Sequence, residues 1–149
     1  MTRFLTIITL LAGLCLATSC SKNDDVVTPE TLEVNYINMA GNWKLTDWSG
    51  ESLADEAYFY ITFTRKEHTF TIHERLETMY DRLSTGTYAL TTNAETGQTT
   101  LSGIYDYGRG EWGSDYVVTV LTQDKLVLQS TSDASNVRTF SRIEFLPEF

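Results

Sequence analysis

From Gly41 onward the chain is written in period two. Eight short segments (42–48, 58–65, 69–76, 87–92, 99–105, 116–123, 125–130 and 137–145) alternate apolar with polar residues and favour Thr, Val, Ile and aromatics. Successive side chains of a strand point to opposite faces, so this alternation predicts half-buried strands. No stretch sustains a 3.6-residue period. The links between segments are short and turn-like, as at 65–68, 93–97, Asp124 and 133–136, and such links force antiparallel neighbours. A row of eight such strands has open edges unless it closes on itself. The expected fold is therefore all-β, an up-and-down antiparallel eight-stranded barrel. A barrel of that size either fills with side chains or holds one small ligand.

The alternation also predicts which residues face inward. They are Trp43 and Leu45, then Phe59, Ile61 and Phe63, then Phe70 and Ile72. Further on they are Tyr88 and Leu90, then Leu101, Gly103 and Tyr105, then Val118 and Val120. Leu126, Leu128, Phe140 and Arg142 complete the set. Tyr58 and Tyr60 fall on the outer face. If they turned inward instead, they would bring polar handles and room for a ligand. Residues 32–40 read as a helical turn with Leu32, Tyr36 and Met39 on one side.

The N-terminus is of another kind. Arg3 precedes a 13-residue apolar run, 4–16, followed by the small residues Ala17, Thr18 and Ser19 and then Cys20. The run is shorter than the roughly 20 residues a membrane-spanning helix needs, and it has the layout of a secretory signal. The sequence Leu16-Ala17-Thr18-Ser19-Cys20 resembles the lipobox of bacterial lipoproteins. The resemblance implies that 1–19 are removed and that Cys20 carries lipid. Ser21 and the acidic Lys22-Asn23-Asp24-Asp25 resemble the start of lipoproteins sent to the outer membrane and displayed at the cell surface. Residues 20–31 then read as an acidic flexible tether and 32–149 as the barrel domain. Two or three acyl chains on one Cys give stable anchoring where one chain does not.

Charge and cysteine content narrow the partners. Without 1–19 the chain holds 10 Lys and Arg against 20 Asp and Glu, a net charge of −10. Such a surface repels phosphate backbones, so nucleic-acid binding is not expected. Cys15 lies in the signal and Cys20 at the lipid. No disulfide, Cys metal site or Cys nucleophile is expected in the domain. A monomer is expected, its membrane contact made through Cys20.

Gly41-Asn42-Trp43 resembles the Gly-x-Trp of lipocalins at the head of their first strand. Ser114-Asp115-Tyr116 is similar to that family's Thr-Asp-Tyr. Gly86-x-Tyr88-x-Leu90, 124–128 and Phe140-x-Arg142 look like the small lipocalin-like domains of Bacteroidota-type lipoproteins. The resemblance spans about 39–145. It implies that Trp43 closes the barrel floor beneath an Arg of the last strand. Closure sets the start of the first strand beside the end of the last, so Arg142 is the expected partner rather than Arg138. It also implies a binder of a small apolar or amphipathic ligand.

The functional residues are harder to read. Tyr105-Asp106-Tyr107-Gly108-Arg109-Gly110-Glu111-Trp112-Gly113-Ser114-Asp115-Tyr116 concentrates aromatics and glycines. It reads as a loop at the barrel mouth, where Tyr105, Tyr107 and Trp112 offer stacking area and Arg109 a fork for a carboxylate or sugar hydroxyl. The competing reading is a Gly-rich hairpin or bulge that packs on the outer sheet. The loop could equally serve a glycan or protein partner if the barrel is filled. The 76–82 stretch, with Leu76, Met79 and Tyr80, is expected to pack. His68 and His73 are the only histidines, and their odd spacing argues against a shared metal. The acids Glu74, Glu77, Asp81, Asp106, Glu111 and Asp115 are too many for any pair to mark a hydrolase site. No P-loop, dinucleotide fingerprint or Gly-x-Ser-x-Gly elbow is present. No metal, cofactor or catalytic residue is expected, and the protein is not expected to be an enzyme. Cys20→Ala should release the protein from membranes. Mutant protein that still sediments with the membrane fraction would contradict the anchor reading.

Overall fold

The computed structural model describes residues 28–149. The expected leader 1–19, the anchor Cys20 and most of the 20–31 tether lie outside them. The described chain contains one short helix, α1 (Tyr36–Met39), and nine strands. These are β1 (Gly41–Trp48), β2 (Tyr58–Phe63), β3 (Thr69–Arg75), β4 (Arg82–Thr92), β5 (Thr99–Tyr105), β6 (Gly110–Glu111), β7 (Tyr116–Leu121), β8 (Lys125–Ser130) and β9 (Val137–Ile143). The order β4-β3-β2-β1-β9-β8-β7-β5-β6, with β4 also paired to β5, closes the sheet. Every pairing is antiparallel. Eight strands form an up-and-down barrel, and β6 adds two residues against the end of β5. No helix among the described residues is long and apolar enough to cross a membrane.

Closure depends on the β1–β9 seam at one end of the barrel. Trp43 and Arg142 are direct cross-strand partners. Trp43 is fully buried, and its Nε1 donates to the Met39 carbonyl at 2.9 Å. The Arg142 guanidinium lies 4.1 Å above the indole. Its Nε donates to the Gln123 carbonyl at 2.6 Å, Nη1 to Ala40 at 2.6 Å and Nη2 to Asn38 at 2.7 Å. One side chain thus ties β9 to the β7–β8 turn and to the end of α1. Burial pulls the Arg142 pKa below its ordinary value, but an arginine remains charged. Gly41 makes the arrangement possible. It sits at φ +126°, and a Cβ there would meet Arg142 Nη1 at 2.6 Å.

The helical turn completes this floor. Asn35 caps α1 by accepting from the Ile37 and Asn38 amides at 3.0 and 2.9 Å, as an N-cap Asn should. The Leu32 amide donates to the Leu121 carbonyl at 2.8 Å, which lays the preceding segment across the barrel end. The Tyr36 hydroxyl accepts from the Leu90 amide at 3.1 Å. Its ring stacks on His68 at 3.7 Å. Above the floor, Phe63, Phe70, Tyr88, Leu101, Leu121 and Leu126 are buried together.

The expected inward set is found, with instructive exceptions. Val120 is 36% exposed, while Leu121 is buried at 1%. A bulge between Val118 and Val120 shifts the register and reverses the phase. A second irregularity between Leu45 and Asp47 brings Trp48 to the interior side. β4 begins at Arg82, five residues before the expected 87. Its first turns invert the usual pattern, with Ser84 buried at 4% and Leu83 exposed at 56%. Met79 and Tyr80, expected to pack, are 85% and 81% exposed. Tyr58 and Tyr60 stay outside, against Phe149. Trp43→Ala should cost about 3–5 kcal/mol, the usual range for emptying a packed aromatic site. Chemical denaturation that registers a loss below about 1 kcal/mol would show that Trp43 does not hold the floor.

Candidate functional site

The two ends of the barrel differ. The floor end is solid. The opposite end, formed by the termini of β1, β3, β8 and β9 and the loops beyond them, encloses a cavity of ≈ 330 Å³. That lies at the lower bound of ligand pockets, roughly 300–1,000 Å³. Its deep wall is apolar, made by Phe59, Ile61, Ile72, Leu128 and Phe140. Its upper wall is aromatic and polar, with Trp48, Tyr105, Trp112 and Tyr116 beside Glu74, Arg82 and Arg138. An apolar depth below a polar rim is the layout for an amphipathic guest.

Trp112 enters the barrel by an interruption of the wall. β6 and β7 both run beside β5, facing its mouth end and its floor end respectively. Residues 112–115 loop between them. The Trp112 amide still donates to the Gly103 carbonyl at 2.8 Å, while its indole lies over Gly103. A Cβ on Gly103 would meet the indole at 2.1 Å, so only glycine leaves the space. The ring packs edge-on against Phe70 at 5.0 Å and Tyr116 at 6.2 Å.

The charged rim residues differ in their partners. Arg82 and Glu74 are cross-strand neighbours, joined at 2.7 Å through Nη2 and 2.9 Å through Nε. Arg138 has no acidic partner among the described residues. It lies 4.2 Å from the Trp48 ring centre and 5.0 Å from that of Tyr116. Trp48 is fixed in turn, its Nε1 donating to Asn136 Oδ1 at 2.9 Å. Ser114, Ser130 and Ser132 join their hydroxyls at 2.7–3.0 Å on the same side. Burial raises the pKa of Tyr116 while the Arg138 charge opposes the rise. Burial also raises that of Tyr105, with Glu74 adding to it.

The residues singled out from sequence separate into two groups. Tyr105 and Trp112 line the cavity. Tyr107 is 93% exposed at φ 61°. Arg109 lies 5.0 Å from the Tyr105 ring and outside the cavity lining. Gly41, Trp43 and Arg142 meet at the floor. His68 stacks on Tyr36 at a turn, whereas His73 contacts Asp81 at 3.0 Å on the outer wall. Among the described residues, no three His, Cys, Asp or Glu side chains converge as a metal site. Sequence reasoning missed Trp48 and Arg138 as cavity residues. Arg138 shares the parity of Phe140 and Arg142, which was the available signal.

The family match and one solved structure agree with this architecture. The family described as a lipocalin-like domain matches residues 39–128. The chain is similar to the NMR structure of a protein from Bacteroides uniformis ATCC 8492, with a TM-score of 0.56 and 14% identity over 75% of this chain and 94% of that one. It is also similar to a crystal structure of a lipocalin-like protein from the same organism, with a TM-score of 0.49 and 18% identity over 72% of this chain and 99% of that one. No curated protein matches. The family match covers more than half of the chain and includes the floor tryptophan and most of the barrel wall. The chain belongs to the lipocalin-like domain family.

Proposed function

We propose that this protein is an outer-membrane lipoprotein, anchored through Cys20, whose barrel holds a small apolar or amphipathic ligand without chemical turnover. The observation that carries the reading is the ≈ 330 Å³ cavity at one end of an otherwise solid barrel. Burying an apolar group there is favourable by roughly 25 cal/mol per Å² of surface removed from water. The polar rim orients the guest, and the floor contributes rigidity. The lipid anchor would hold this binding site beside the membrane, where amphipathic molecules concentrate.

A second reading makes the 105–116 loop a contact surface for a protein or glycan. Its support is Tyr107, whose ring is almost wholly exposed. The cavity favours the first reading, because three of the loop's four aromatics, Tyr105, Trp112 and Tyr116, are committed to lining it. Native mass spectrometry of protein purified gently from its host membrane should show a reproducible added mass on the folded domain. A bare mass, unchanged after exposure to fatty acids, sterol-like compounds and haem, would contradict ligand carriage.

A further inference from the structure

The cavity rim contains two donors that the protein itself does not satisfy. Among the described residues, Arg138 Nε and Trp112 Nε1 are buried and have no hydrogen-bond partner. Leaving such a donor unmade in a buried place is costly, so two on one cavity call for an explanation. They flank the same ring. The Arg138 guanidinium is 5.0 Å from the centre of Tyr116, and the Trp112 indole is 6.2 Å from it.

The other inward-facing groups show that this is selective. Arg82, across the rim, is joined to Glu74 by two contacts. Arg142, at the floor, is satisfied by three carbonyls. Trp43 and Trp48 each donate their indole N–H. The chain has 20 acids for 11 bases, so acids are plentiful, yet none pairs with Arg138 among the described residues. The guanidinium is instead held by the faces of Trp48 and Tyr116. Such contacts stabilise a cation without using its N–H groups.

We propose that the cavity is specific for an organic acid. Its carboxylate binds at Arg138, with the Trp112 indole N–H as a second donor, and its apolar body lies against Phe59, Ile61, Ile72, Leu128 and Phe140. This rests on the reading of the barrel as a ligand carrier and names the class of ligand. Both unsatisfied groups are donors only, which selects an acceptor. A guanidinium matches the planar fork of a carboxylate. Apolar side chains below one unpaired cation suit a single anionic head on an apolar tail.

The test compares ligands that differ only in the head group. Calorimetric titration of the protein with decanoate and 1-decanol, and with 2-naphthoate and 2-naphthalenemethanol, gives the acid-to-alcohol affinity ratio. The acid of a pair should bind at least about tenfold tighter, as expected for a charge-assisted hydrogen bond. Arg138→Gln should bring the acid-to-alcohol affinity ratio close to one. Arg138→Lys should restore part of it, and Trp112→Phe should weaken acid binding about threefold. The wild-type ratio needs no variant, so a folding defect in one of them cannot mask the answer. Equal binding of acid and alcohol would overturn the acid preference and leave the carrier reading standing. Binding of none of the four compounds would overturn both. An unchanged Trp112→Phe would remove Trp112 from the site.

Discussion

The rest of the structure depends on the meeting of Arg142 and Trp43. A strand-built barrel needs its first and last strands to pair, and here the pairing is fixed by side chains as well as by the ladder. The guanidinium covers the indole, and its three donors hold the end of the helical turn and the β7–β8 turn. Trp43 in turn donates to Met39, which plugs the barrel end. Gly41 supplies the space that makes this close approach possible. With that end made rigid and dry, the other end can hold a cavity and unsatisfied donors without risk to the fold.

The choice between a filled and a hollow barrel is resolved by height along the axis. Near the floor, Phe63, Phe70, Tyr88, Leu101 and Leu126 occupy the interior. Nearer the mouth, the inward positions carry Ser84, Ser130, Glu74, Arg82 and Arg138 in place of large apolar groups. A polar side chain at an inward position cannot simply pack, and it must find a partner or face a guest. Glu74 and Arg82 find each other, and Ser130 finds the hydroxyls of Ser114 and Ser132. Arg138 and Trp112 retain free donors, which gives the cavity its chemical direction.

Much of this was legible in the sequence. Strict alternation gave the eight barrel strands and the inward faces of β2, β3, β8 and β9, and the short links gave their antiparallel order. The closing pair was legible through the lipocalin resemblance of Gly41-Asn42-Trp43, which implied an Arg of the last strand over the Trp, and closure then selected Arg142. The bulges were not, since an extra residue leaves no mark on composition yet reverses every side chain beyond it. That is why Val120 and Leu121 exchanged places and why Trp48 was not placed inside. The start of β4 was hidden because Arg82 and Ser84 face inward while Leu83 faces water. The pairing of Gly103 with Trp112 was hidden for a different reason. It is a steric fit between residues nine positions apart, and only the interrupted wall brings them together.

The barrel is packed at the floor and receptive at the mouth, and its three tryptophans report on the two ends separately. Trp43 lies in the floor, Trp48 and Trp112 at the cavity. The measurement is an indole N–H correlation spectrum of the protein titrated with decanoate. The Trp48 and Trp112 resonances should move with saturation while Trp43 stays in place. A spectrum in which all three remain fixed, or in which Trp43 moves and the two cavity indoles do not, would contradict this.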